Sequence, residues 1–313
     1  MKAIMYHYIR EHSKEYPYFR FLHADDFKQQ LDFFEKEFGF VSKEDFITCF
    51  KTGTPAKGVI LTFDDGLKDH YQYVFPELQK RNLWGIFYVC SAPYQTKKLL
   101  GVHATHLLLG KYGGKKIVEA LEEMITEDML IDKKRIAFQK NTYITQTNDA
   151  YTTEAKKILN YYISYEAREK VLQSLVKDLL LDEEKIVNDF YLSLDEIKTM
   201  QTAGMIIGSH SADHPVMSKL SFQEQEIQIE NSFSFLEKTT NGLAYKTFCY
   251  PYGGFHSFTV ETETILQQND CLFSFNVESR DIISDDLLHR KQALPRYDCN
   301  MFAHGKVRDI VTI

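Results

Sequence analysis

Three short stretches of this 313-residue chain carry side chains that could do chemistry. Thr62-Phe63-Asp64-Asp65-Gly66 sets two carboxylates where the apolar run Gly58-Val59-Ile60-Leu61 gives way to a glycine. Paired carboxylates at the end of a buried strand are costly unless they hold a cation or a proton. Their plainer role is a helix N-cap, a position Asp favours. His210-Ser211-Ala212-Asp213-His214 places two imidazoles four residues apart, directly after Met205-Ile206-Ile207-Gly208. If that segment turns helically, both rings can converge on one cation, because neutral imidazole is a common metal ligand; the same spacing also arises incidentally. Phe248-Cys249-Tyr250-Pro251-Tyr252-Gly253-Gly254 closes another apolar run. Pro251 and Tyr252 could wall a pocket and aim backbone N–H groups at a developing oxyanion, or form an ordinary turn.

These stretches can act together only if strands deliver them to one edge. The apolar runs at 2–8, 58–63, 84–90, 205–208, 245–250 and 271–277 read as buried strands, and most alternate with helical patterns. A helix is predicted over 25–38, where Phe27, Leu31, Phe34 and Phe38 form one stripe and Gly39 suits a C-terminal cap. Ser42 with Asp45, Ser193 with Glu196 and Ser221 with Glu224 predict further helix starts. A helix is also expected over 71–81. From about 91 to 192 the pattern changes to a charged, helical stretch poor in strands, with helices near 115–125, 153–163 and 166–181. The expected fold is α/β: a distorted (β/α) barrel of about seven parallel strands, in one domain over 1–313 with that stretch as an insertion. Such folds place their sites at the strands' C-terminal ends, where all three stretches fall.

Composition removes other classes. The chain is 44% hydrophobic and 26% charged, as expected of a globular protein, with 37 Lys and Arg against 44 Asp and Glu. A net charge of −7 argues against nucleic acid as a partner, which needs a basic footprint. No apolar run reaches the ~18 residues of a membrane span. The residues from Met1 to His7 do not read as an export signal, and the five scattered cysteines form no CxxC pair. A cytoplasmic protein with reduced thiols is therefore expected.

Taken together, the three stretches resemble the motifs of the NodB-homology polysaccharide deacetylases, carbohydrate esterase family four. That family carries a TFDDG, an H[ST]xxH and an aromatic PYG motif in this order, matched here by Thr62–Gly66, His210–His214 and Pro251–Gly253. The resemblance implies that Asp65, His210 and His214 bind one divalent metal, zinc by default, and that Asp64 is the catalytic base. Two departures stand out. In place of the Arg that often precedes the Pro-aromatic pair stands Cys249 or Tyr250, and Arg296 is the candidate either to orient the base in its stead or to form a structural salt bridge. The C-terminal strand-then-His motif that supplies the general acid is missing, since His289 and His304 follow no apolar strand. Ala3-Ile4-Met5-Tyr6-His7 has the shape of that motif, moved to the front of the chain. This permuted arrangement resembles the poly-N-acetylglucosamine deacetylases, and a closed barrel tolerates it because its first and last strands are neighbours. His7 is thus the candidate acid, against the alternative of a core histidine; His103 and His106 are expected at the surface.

The resulting expectation is a metal-dependent hydrolase that removes an N-acetyl group from an amino sugar. With no export signal read, the expected substrate is a nucleotide- or lipid-linked glycan precursor. The alternatives are a deformylase or cyclic-amide hydrolase on the same metal site, or a catalytically dead sugar-binding module. The insertion is expected to be a lid or an oligomer contact.

Overall fold

The fold is a computed structural model that describes residues 1–13, 20–130, 138, 140, 142–143, 148–179 and 182–308. The chain forms two compact units. The first comprises Met1–His12, Phe21–Gln95 and Asn188–Ile313, the second Thr96–Val187 with Ser13 and Arg20.

The first unit is built on β1 (Lys2–Tyr6), followed by a small parallel pair, β2 (Ile9–Arg10) and β3 (Leu22–His23), and by helices α1 (Ala24–Glu37) and α2 (Lys43–Thr52). Gly39 sits at φ 69° beyond α1, and its N–H reaches the Phe34 carbonyl, closing the helix as the glycine predicts. β4 (Val59–Phe63) leads to a π-turn at His70–Val74 that runs into α3 (Phe75–Lys80). The wide turn falls where Pro76, having no N–H, cannot continue the ordinary ladder. β5 (Ile86–Val89) and α4 (Ala92–Thr96) complete this half.

The second unit holds α5 (Gly101–Met124), α6 (Ala150–Lys157) and α7 (Tyr165–Leu179). α5 is two helical segments joined across Gly113, whose φ 77° and ψ 158° are not helical; the helix expected near 115–125 is the second segment, and the first, from Gly101, has no counterpart in the sequence reading. The last two residues of the helix expected over 166–181 lie outside the described residues. His103, expected at the surface, is fully buried: it shares a face of α5 with Leu107, one turn on, and that face is covered. His106 is half-buried.

α8 (Glu183–Phe190) precedes the return to strand–helix alternation: α9 (Leu194–Thr202), β6 (Ile206–Ser209), α10 (Phe222–Thr240), β7 (Thr247–Cys249), α11 (Val260–Gln268), β8 (Phe273–Phe275), α12 (Ser284–His289) and β9 (Tyr297–Asp298). The capping boxes of Ser193 with Glu196 and Ser221 with Glu224 are both formed. Seven parallel strands make one curled sheet in the order β8-β7-β6-β5-β4-β1-β9. The segment that ends in β9 curls the sheet into a distorted barrel. Leu294 exchanges hydrogen bonds with Ser274 and Asn276 beside β8, and three residues later Tyr297 pairs with Ile4 of β1.

Alternation along the strands sends side chains into separate cores. Tyr6, Leu61, Phe63, Phe87 and Val89 pack beneath the helices with Phe27 and Leu31 of α1, and Phe63 stacks on Phe87 at 4.7 Å. Ala3, Ile60, Ile86, Tyr88, Ile206, Cys249, Phe275 and Leu294 form the second. Because every strand of the sheet runs the same way, the residues that follow β1, β4, β6 and β7 emerge on one rim.

Candidate active site

Asp64 follows Phe63 at the end of β4, and its N–H is tied to the Tyr6 carbonyl of β1. Its side chain is 2% exposed. Asp65 takes a left-handed conformation, φ 79°, as does Gly66 at 64°. The pair is therefore a turn that divides the two carboxylates and not a helix N-cap. A non-glycine residue at positive φ is strained by order 1–3 kcal/mol and persists only where its surroundings demand it. Ser211 at 67°, His214 at 60° and Tyr252 at 63° are held in the same way, so each of the three motifs contains such a residue. The histidines converge accordingly. The segment after β6 does not turn helically, as the spacing predicts; the left-handed residues fold it back, with the His214 N–H on Ser211 Oγ at 3.0 Å.

Asp65 Oδ1 lies 3.4 Å from His210 Nε2 and 3.5 Å from His214 Nε2, and all three residues are buried. Ligand atoms about 2.0–2.2 Å from a shared ion at tetrahedral angles stand roughly 3.4 Å apart. His210 Nδ1 is 2.8 Å from the Cys249 carbonyl, the hydrogen bond that leaves Nε2 as the free lone pair of a metal-binding imidazole. Burial lowers the pKa of His210, yet the Cys249 sulfur, Asp65 and Asp64 together raise it above the ordinary range. The pocket thus draws positive charge to this point, and its donors fit a first-row divalent cation.

Arg296 lies in the segment between Leu294 and β9 and is fully buried. Its Nη1 and Nη2 meet Asp64 Oδ1 and Oδ2 at 2.8 and 2.9 Å, a bidentate pair. Nη1 also reaches Thr62 Oγ1, Nε the Asn276 carbonyl, and Nη2 the Cys249 sulfur at 2.9 Å. The small Cys249 side chain leaves room for a guanidinium arriving from the far end of the chain. Burial would raise the Asp64 pKa, but Arg296 with His210 outweighs it and holds the carboxyl at about 2.

His7 follows β1 directly, and its Nε2 is 3.9 Å from Asp64 Oδ2, with the side chain 41% exposed. Its carbonyl accepts a 2.8 Å hydrogen bond from Nε2 of His70, a fully buried ring between Phe63 and Phe87 that burial keeps neutral, with a pKa near 4. Nothing in the sequence singles out His70, which sits one residue before an aromatic run and outside every motif. The Tyr252 ring lies against His214 at 4.8 Å, and Pro251 is buried. Thus Asp64, Asp65, His210, His214, Tyr252, Arg296 and His7 come together on one rim, while His103 and His106 belong to the second unit.

No curated protein matches the chain in sequence. Among solved structures it is similar to the Streptococcus pyogenes deacetylase PplD in complex with acetate, at 17% identity over 95% of this chain and 91% of that one, TM-score 0.57. It is likewise similar to a de-N-acetylase from Aggregatibacter actinomycetemcomitans (13% identity, 100% and 96% covered, TM-score 0.54) and to IcaB from Ammonifex degensii (17%, 88% and 82%, 0.51). At these identities the likeness establishes the fold. Family membership comes from the sequence: the polysaccharide deacetylase profile matches residues 51–270, well over half the chain. With that match spanning the Asp64–Asp65 turn, both histidines and the Pro251–Tyr252 loop, the chain belongs to the polysaccharide deacetylase family.

Proposed function

We propose that the protein is a metal-dependent carbohydrate N-deacetylase, in which Asp65, His210 and His214 hold one divalent cation, zinc by default, beside the base Asp64 and the acid His7. The observation that carries this reading is the convergence of Asp65 Oδ1 on two imidazole Nε2 atoms next to a buried, separately anchored carboxylate. When bound, the cation supplies Lewis acidity, lowering the pKa of water and polarising the acetyl oxygen. Asp64, ionised at any working pH, takes a proton from the attacking water as its oxygen bonds to the amide carbon. Arg296 fixes both carboxylate oxygens, so the carboxylate is oriented before substrate arrives. The proposed donor to the developing oxyanion is the Tyr252 backbone N–H, presented by the turn at Pro251. As the C–N bond breaks, His7 Nε2 protonates the leaving nitrogen, and acetate and a free amino sugar result. His7 Nε2 lies 3.9 Å from Asp64 Oδ2, close enough for the proposed acid and base to serve one substrate.

The proposed substrate is an N-acetylated amino sugar, either polymeric or carried on a nucleotide or lipid. The names of the structural neighbours, two deacetylases among them, support the reaction class. The test is acetate release by the zinc-loaded protein from N-acetylglucosamine oligomers and nucleotide-linked N-acetylamino sugars. Asp64→Asn is expected to keep the metal and lose turnover, whereas Asp65→Asn loses the metal. Equal metal loss in both variants would overturn the division of roles, and release insensitive to Asp64→Asn would overturn the mechanism.

A further inference from the structure

The second unit contains a buried cation that no acidic side chain among the described residues neutralises. Arg168, on α7, is 7% exposed. Nη2 of its guanidinium donates to Asn160 Oδ1 at 2.9 Å, Nε is buried with no acceptor, and among the described residues no acidic side chain pairs with it. A guanidinium in such a setting is unfavourable unless a counter-ion completes it.

Its location makes the imbalance worse. A methyl group built on Gly101 would lie 2.7 Å from both Cζ and Nη2 of Arg168 and 3.0 Å from Nη1, so the guanidinium rests against the first residue of α5. A helix N-terminus carries roughly half a positive charge and exposes N–H groups that have no intrahelical acceptor. Here the N–H groups of His103 and Ala104 bond to the Leu100 carbonyl, and the N-cap residue Leu100 offers no side-chain cap. Gly101 and Val102 supply the remaining opening N–H groups of this helix. A second cation joins through the same residues: Asn160 Nδ2 donates to the Tyr143 hydroxyl at 2.8 Å, and Lys156 Nζ lies 5.5 Å over the Tyr143 ring. Burial and the like charge of Arg20 pull Lys156 down to about 8. Two acids on these segments have partners of their own, Glu183 on the Leu99 N–H and Glu169 on Lys98.

We infer that Arg168 and the N-terminal turn of α5 form a second binding site, separate from the metal-ligand residues, that takes a small oxyanion: the phosphate or carboxylate group of a ligand. An oxyanion there would receive the planar fork of the guanidinium and the helix N–H groups at once, relieving the repulsion between them. Glycine at 101 leaves the space that this arrangement needs.

The test is isothermal titration of the full chain with inorganic phosphate and, separately, with acetate, at constant chloride. Because a metal can bind either anion, the titrations are repeated in His210→Ala. A saturable site is expected to survive in His210→Ala and to weaken roughly 10–100-fold in Arg168→Gln, as loss of a charged hydrogen-bonding group implies. The anion bound more tightly identifies the ligand class. Gly101→Ala, which keeps a good helix former at that position, should weaken the same site by pressing on the guanidinium, and it carries the test if Arg168→Gln does not fold. Absence of saturable binding in His210→Ala, or affinity unchanged in both Arg168→Gln and Gly101→Ala, would overturn the inference.

Discussion

Replacing Arg296 with methionine removes five hydrogen bonds at once, to Asp64 Oδ1 and Oδ2, Thr62, Asn276 and Cys249. Methionine fills much of the volume, so the main effect is electrostatic: a carboxylate 2% exposed is left without its cation. Depression of the Asp64 carboxyl from 3.8 to about 2, against the opposing pull of burial, corresponds to about 2.5 kcal/mol. Breaking a buried pair by deleting one partner costs about 3–5 kcal/mol, and the Arg296→Met variant is expected in that range. Because the folded carboxyl lies below its unfolded value, this contribution is present above about pH 4 and is lost as the pH falls towards 2. The single tryptophan supplies the assay. Trp84 packs against two cores of the first unit and donates to the Val41 carbonyl, so urea unfolding of the metal-free protein followed by its fluorescence reports on the barrel. Asp64→Asn together with Arg296→Met should be non-additive by about 2–3 kcal/mol, since neither charge is then left alone. A cost below about 1 kcal/mol for Arg296→Met, or an additive cycle, would refute this account of the pair.

His7→Ala should lower kcat by about 10²–10⁴ on an amide and much less on an activated ester, with metal content unchanged; equal losses on the two substrates would point to a core histidine. His70→Phe, which keeps an aromatic ring between Phe63 and Phe87 but cannot hold the His7 carbonyl, should reduce kcat about 5- to 10-fold, and His70→Gln should recover most of it by restoring a donor. Failure of Gln to outperform Phe would make that contact incidental. Asp69, beside Arg10, is raised by burial from 3.8 to about 6, so its contribution to stability is full below about pH 4 and is lost as pH rises through 6, by about 3 kcal/mol. Asp69→Asn should flatten that part of the pH profile of Trp84-monitored unfolding, and an unchanged slope would show that other groups produce it.

Much of the site was legible because its signals are local. Asp64 and Asp65 beside Gly66, the two histidines after an apolar strand, and Ser–Glu capping pairs are short-range patterns whose geometry is set within a few residues. The six longer strands announced themselves as apolar runs. β9, only two residues long, did not, and with it went the route by which Arg296 enters the barrel. The spacing of His210 and His214 predicted convergence but through the wrong conformation, because a turn made by left-handed Ser211 and His214 leaves no periodicity to read.

The sequence by itself determined the α/β alternation, the rim on which the motifs fall, and the residue types available for a metal, a base and an acid. Side-chain chemistry and strand periodicity are written position by position, so these follow without knowing what packs on what. Only the tertiary structure decided that Arg296 rather than a neighbour of Pro251 anchors Asp64, that His70 holds the His7 backbone, that His103 is buried, and that Arg168 is buried with no acidic partner among the described residues. Each of these depends on the encounter of segments distant in the chain, or on which face of a helix is covered. Burial and charge then fix what each group does, and neither has a value until the chain has closed around it.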